Sequence, residues 1–280
     1  MNSSRKITHI INGQPTSDGD GVQLTRIIGS QELDMLDPFL LLDAFGSDKP
    51  LDYIGGFPAH PHRGFETVTY MLAGKMRHKD SAGNEGVIEP GGVQWMTAGK
   101  GIIHSEMPEQ QEGLLSGLQL WVNLPASEKM TQPKYQEHDK HQIPVEQMEE
   151  GIQVHVIAGE TKNGTTGIIK NELIKPTYWH VYMNENRRFN EALPHKHNAF
   201  VYVIDGEILV GDNEVALSKG QLGIISEGSS IDIHSQKQSQ FVLVAGQPLN
   251  EPVARGGPFV MNTKQEIVQA FADYKSGRLA

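Results

Sequence analysis

Short runs that alternate apolar and polar positions, or that are rich in β-branched residues, recur along this chain, and glycine, asparagine or aspartate separates many of them. Val22–Ile28, Thr67–Leu72, Val93–Thr97, Leu118–Val122 and Val154–Ile157 have this form. So do Trp179–Met183, Phe200–Ile204, Leu222–Ile225, Ile231–His234 and Phe241–Ala245. In a strand, successive side chains point to opposite faces. Many short strands joined by turn signals such as Ala82-Gly83-Asn84 and Gly211-Asp212-Asn213 therefore predict an all-β protein of sandwiches or barrels. Helical periodicity is confined to the C-terminus. Thr263 followed three residues later by Glu266 fits a capping box. Ile267, Phe271 and Tyr274 then fall at helical spacing, which predicts a helix from about Lys264 to Lys275 with its apolar stripe on a barrel.

The two halves read as versions of one unit. Tyr70-Met71-Leu72-Ala73-Gly74 resembles Tyr202-Val203-Ile204-Asp205-Gly206, each closing a strand on a glycine turn. Each is followed by a second strand and another glycine signal, Pro90-Gly91-Gly92 in one half and Lys219-Gly220 in the other. Such a weak repeat predicts a duplicated β-domain, and 280 residues suit two domains of ordinary size. Ser127 to Gly151 is polar, punctuated by proline and poor in strand formers. The expected division is one domain over residues 1–126, a linker over 127–150 and a second domain with the terminal helix over 151–280.

Charge and composition exclude several functions. The formal net charge is −10, and the adjacent basic pairs are Arg5-Lys6 and Arg187-Arg188. Phosphate binding rewards clustered lysine and arginine, so direct nucleic-acid binding is not expected. No apolar run reaches the roughly 18 residues of a membrane span. The opening residues MNSSRKITHIING lack the apolar core of a secretory signal, which makes a cytoplasmic location the expectation. Cysteine is absent, so neither disulfides nor thiolate metal ligands are available.

The chemistry is concentrated in His60-Pro61-His62 and His104-Ser105-Glu106. Alternate strand residues share a face, so each H-x-(H/E) pair projects two donors together. On neighbouring strands, the pairs would place His60, His62, His104 and Glu106 around one point inside a small barrel. Imidazole and carboxylate donors suit a divalent transition metal that keeps positions open for substrate or dioxygen. His78, on the polar hairpin from Lys75 to Asp80, is expected to be solvated. Trp95 and Met96 are expected to pack the barrel, and Phe57 and Phe65 are candidates to line an aromatic slot at its mouth.

The H-x-H, the glycine turns and the Pro-Gly-Gly followed by a histidine resemble the two short motifs of cupin barrels. The match then narrows. The run from His60 to Tyr70, that from Gly91 to Glu106, and Leu118-Gln119-Leu120-Trp121-Val122-Asn123-Leu124-Pro125 resemble signatures of the pirin family. Asp37-Pro38-Phe39-Leu40 and the run from Arg255 to Thr263 extend the likeness nearly end to end.

The resemblance implies two cupin (double-stranded β-helix, jelly-roll) barrels with a short C-terminal helix. It also implies one iron per chain in the N-terminal barrel, held by His60, His62, His104 and Glu106, with other divalent transition metals as alternatives. The cupin pattern offers Glu66 as a ligand, but the family pattern uses Glu106, leaving Glu66 to orient an imidazole N–H. Family members are described as quercetin 2,3-dioxygenases and as regulatory proteins. The resemblance therefore implies either a dioxygenase acting on a flavonol-like aromatic and O2, with Glu106 as catalytic base, or a redox-sensing module that binds a protein partner. A zinc-dependent isomerase is a third reading, on fold analogy alone. In the second half, His195 and His197, with Asp232 and His234, form a further candidate donor set. Yet His197 stands closer to its glycine turn than His62 does to Gly74, and the resemblance points to a metal-free C-terminal barrel.

Overall fold

The computed structural model describes residues 4–149 and 151–280. The short runs form strands that gather into two units, each built on two antiparallel sheets, with a two-stranded ribbon of Ala254–Gly256 and Phe259–Met261 added to the first. The first unit comprises residues 14–29, 39–140 and 249–280. Its seven-stranded sheet runs Lys134–His138, Val93–Thr97, Phe65–Ala73, Leu115–Asn123, Phe39–Ser47, Val22–Ile28, Gln14–Asp18. Its four-stranded sheet runs Phe57–His62, Ile102–Pro108, Met76–Asp80, Glu85–Ile88. Gly64 turns the chain from the small sheet into the large one. Its φ is +88°, and a Cβ there would lie 2.0 Å from the Val260 carbonyl oxygen, so the position requires glycine.

The second unit comprises residues up to Gly13, 30–38 and 141–248. Its seven-stranded sheet runs Ile7–Asn12, Gln221–Ile225, Asn198–Asp205, Ser239–Gly246, Thr177–Met183, Ile152–Ala158, Val145–Glu149. Arg187–Ala192, Ser230–Ser235, Glu207–Val210 and Val215–Ser218 form its smaller sheet. Trp179, Phe189, Val201, Ile233, Phe241 and Leu243 belong to one continuous buried core.

The predicted helix is present as Lys264–Lys275, with the reciprocal Thr263–Glu266 capping box. No helix among the described residues is long and apolar enough to cross a membrane.

The contacts divide the chain differently from the contiguous domains expected at 1–126 and 151–280. Strand Ile7–Asn12 pairs with Gln221–Ile225 in the second unit. The terminal helix joins the first unit, where Phe259, Ile267, Ala270 and Leu279 pack together with Ile103. Pairing across a sheet rewards apolar fit, not nearness in sequence, so each end of the chain belongs to the unit farther from it. The expected linker over 127–150 also carries strands, Lys134–His138 and Val145–Glu149. The first escaped notice because its Tyr135 and Glu137 face a polar interior, and no alternation of apolar residues marks it.

Registers define the interiors. Directly opposed residues on antiparallel strands share a face. Across the large sheet of the first unit the opposed residues are Glu137, Gln94, Thr69, Gln119, Asp43 and Arg26. The corresponding row in the second unit, reached by matching Tyr70 to Tyr202, is Gly223, Val201, Leu243, Trp179 and Val156. One barrel carries a polar belt where the other carries packed hydrocarbon.

Candidate metal centre

His60 and His62 end the first strand of the small sheet, and His104 lies directly opposite His60 on Ile102–Pro108. Their ligand atoms all lie within 4.8 Å of one another, the one such group of three or more donors among the described residues. His60 Nδ1 meets the Pro58 carbonyl at 2.8 Å, and His62 Nδ1 meets that of Pro258 at 3.4 Å. A ring nitrogen facing a carbonyl carries the hydrogen, which leaves Nε2 as the lone-pair donor. The two Nε2 atoms stand 3.0 Å apart. Nitrogens about 2.1 Å from one ion and at right angles to each other have a separation of about 3 Å. His104 is buried at 2% exposure, and neither of its ring nitrogens has a hydrogen-bond partner. Burial, reinforced by the charge of His60, pushes His62 down to about 3. Burial and the neighbouring His62 and His60 hold His104 well below the usual histidine range. Neutral imidazoles with converging lone pairs fit a divalent metal ion.

Glu106 is not part of that tight group. Its carboxylate is buried and faces two residues of the large sheet: Thr69 Oγ1 lies 2.8 Å from Oε1, and Gln119 Nε2 donates to Oε2 at 3.3 Å. It lines the same cavity as His60 and His62. That cavity has a volume of about 750 Å³. Leu24, Leu41, Phe45, Phe57 and Trp121 give it an apolar wall, and Arg26, Asp43 and Gln119 a polar one. Arg26 is fixed by Asp43, with Nε to Oδ1 at 2.9 Å and Nη2 to Oδ2 at 2.7 Å.

Several expected residues fall elsewhere. Glu66 lies on the opposite face of Phe65–Ala73 from Thr69, by the alternation of the strand. There it accepts hydrogen bonds from Trp95 Nε1 at 2.9 Å and Thr97 Oγ1 at 2.7 Å, so parity removes it from the imidazoles. Trp95 and Met96 are buried packing residues, as their positions implied. Phe57 lines the cavity, whereas Phe65 is fully buried between the rings of His62 and Trp121, at centroid distances of 5.0 Å and 4.4 Å. His78 is buried, not solvated. Its Nε2 lies 2.7 Å from Glu137 Oε2, and its ring stacks on Tyr135. Directly opposed to Glu106, it turns inward with it.

In the second unit, Asp232 and His234 alternate with Ile231 and Ile233, and it is the isoleucines that enter the core. Asp232 instead meets Arg188 Nη1 at 3.0 Å. His195 is exposed, and the backbone carbonyl of His197 accepts from buried Arg5 at 3.0 Å. Sequence reasoning missed Thr69, Gln119, Asp43, Arg26 and Trp121 as site residues. One signal was available: Asp43 interrupts the apolar strand Phe39–Ser47, where an isolated carboxylate needs a partner.

Two small barrels, each closing a seven-stranded on a four-stranded antiparallel sheet, with histidines converging in one of them, define a double cupin. This chain belongs to the pirin family: the Pirin model matches residues 21–122, and the Pirin C-terminal cupin domain matches residues 178–280. It is 50% identical to a pirin-like protein of Caulobacter vibrioides over 98% of this chain and 99% of the other. It is 44% identical to a provisionally named quercetin 2,3-dioxygenase of Pseudomonas aeruginosa over 100% of both. A crystal structure of quercetin 2,3-dioxygenase from Acinetobacter baumannii is similar with a TM-score of 0.92 at 35% identity, covering 99% of each chain.

Proposed function

We propose that this protein is an iron-dependent dioxygenase of the quercetin 2,3-dioxygenase type, acting on a flavonol-like aromatic and O2. The observation that carries the reading is the opening of the histidine cluster into a cavity of about 750 Å³ with an aromatic wall. A module that only reports the redox state of a metal to a protein partner has no use for such a space. The similarity to proteins named quercetin 2,3-dioxygenase supports the same choice.

His60, His62, His104 and Glu106 would hold the metal. The metal supplies the dioxygen chemistry that no side chain can perform. The rest belongs to the chain. Phe57 and Trp121 offer flat apolar surface to a planar ligand, and Arg26 offers fixed donors to its oxygens. Glu106, which borders the cavity, would accept the proton of a phenolic hydroxyl, and a positioned base of this kind contributes about 10²–10⁴-fold.

The test is anaerobic reconstitution with Fe(II), followed by oxygen uptake with quercetin present. Turnover per bound iron is expected in the parent protein, and Glu106→Gln, assayed at equal iron loading, should be slower by the factor above. No uptake by the iron-loaded parent would defeat the flavonol reading and favour the protein-binding module.

A further inference from the structure

We infer that Gln119 and Thr69 are positioning residues for Glu106, holding its carboxylate so that one oxygen remains for the metal. The inference rests on the reading of Glu106 as a ligand. It begins with a count of hydrogens. Thr69 Oγ1, Glu106 and Gln119 form a closed triangle: Thr69 to Glu106 Oε1 at 2.8 Å, Thr69 to Gln119 Oε1 at 2.6 Å, and Gln119 Nε2 to Glu106 Oε2 at 3.3 Å. A threonine hydroxyl carries one hydrogen, and an ionised carboxylate carries none. The Gln119 amide has two hydrogens but makes one contact within the triangle, so two hydrogens serve three contacts. The shorter of the two Thr69 contacts, 2.6 Å to Gln119 Oε1, takes the hydroxyl hydrogen; Gln119 Nε2 donates to Oε2, and Oε1 of Glu106 is the oxygen left for a metal. Thr69 fixes the amide, the amide fixes Oε2, and Oε1 is the remaining donor atom.

The surroundings point the same way. Thr69, Gln119 and Glu106 are inward-facing, and Gln119 lines the cavity beside Glu106. Thr69 and Gln119 are directly opposed in register, so the two strands fix their spacing. In the second unit the matching opposed pair is Val201 and Leu243, both fully buried in apolar core. The second barrel fills these two positions with hydrocarbon, and its buried carboxylate, Glu191, is held instead by the backbone N–H of Lys162 at 2.9 Å. Groups that hold a ligand in place typically change metal affinity by about 10–100-fold when removed.

The experiment loads the full-length protein with Co(II) and measures its affinity by chelator competition and its visible absorption spectrum, alongside the thermal transition of the metal-free protein. Gln119→Leu is expected to lose about 10-fold or more in affinity, Thr69→Val less because it acts through Gln119, and both should change the Co(II) bands. Thr69→Ser, which keeps the hydroxyl, should restore the parent spectrum. Added to Glu106→Gln, neither Gln119→Leu nor Thr69→Val should cause further loss, since residues acting through one group are not additive.

Unchanged affinity and bands in both single variants, with Glu106→Gln altered, would overturn the positioning role while leaving Glu106 a ligand. Full additivity on the Glu106→Gln background would also overturn it, in favour of a general packing effect. If Glu106→Gln itself leaves affinity and spectrum unchanged, the ligand reading falls and this inference with it. Should Thr69→Val fail to fold, Gln119→Met and its combination with Glu106→Gln decide the same question.

Discussion

The two barrels of this protein are built on one plan and filled in opposite ways. Across the large sheet of the first, opposed residues read Gln94, Thr69, Gln119, Asp43, Arg26. Across that of the second they read Gly223, Val201, Leu243, Trp179, Val156. A filled apolar interior gains the full benefit of burial and close packing. A polar belt forgoes part of that gain, because buried polar groups must be hydrogen-bonded merely to break even. The first barrel bears this cost beside a cavity and three converging histidines, which is where preorganised polar groups serve chemistry. In the second, the same row of the scaffold is filled with packed side chains.

The largest effect should come from the histidines. His62→Ala should remove most of the metal, since a site depends steeply on its ligand count. His195→Ala combined with His197→Ala should leave the stoichiometry at one metal per chain. Elemental analysis of the purified variants checks both, and a drop from two metals to one in the double variant would break the contrast between the barrels.

Next comes the same residue type in the two interiors. Trp179 is fully buried in core, so Trp179→Ala should cost about 3–5 kcal/mol. Trp121 packs on Phe65 and His62 but is only partly buried and borders the cavity, so Trp121→Ala should cost less, about 1–3 kcal/mol. Denaturant unfolding of both variants measures the difference.

Exchanging the fillings should give effects of opposite sign. Leu243→Gln places an amide without partners in hydrocarbon, at a cost of about 1–3 kcal/mol beyond the lost burial. Gln119→Leu should leave the metal-free protein as stable as the parent or slightly more so, because it removes a triangle short of hydrogens. Comparable losses in both variants would show that the belt is needed for folding rather than for the site.

The smallest effect is one of pH. His180 is fully buried, and burial, with the charge of His155, holds it at about 3. A folded-state value below the unfolded one means that stability is complete above about pH 6.5 and declines as pH falls toward 3. The slope is about 1.4 kcal/mol per pH unit. Between pH 6.5 and 5.5, the parent should therefore lose about 1 kcal/mol more than His180→Gln in denaturant titrations.

Much of this was written locally. Short apolar runs and glycine turns marked ten of the strands, and Thr263 with Glu266 marked the helix start, because backbone geometry and capping involve residues only a few positions apart. The H-x-H spacing placed His60 and His62 on one face for the same reason. Their union with His104 followed from a second such pair on a paired strand.

What local pattern did not determine was set by register. Whether Glu66 or Thr69 faces the histidines depends on strand parity relative to a barrel that only tertiary structure closes. Thr69, Gln119, Asp43 and Arg26 are scattered along the chain and meet because four strands align in a particular order. The strand at Tyr135 was hidden because it faces polar neighbours, and the pairing of Ile7–Asn12 with Gln221–Ile225 because its partner lies near the far end of the chain. The sequence by itself determined the all-β character, many of the strands, the helix and the histidine pairs, since these rest on contacts between near neighbours. The tertiary structure alone decided which unit each chain end joins and which residues hold Glu106, since those depend on pairing between distant strands.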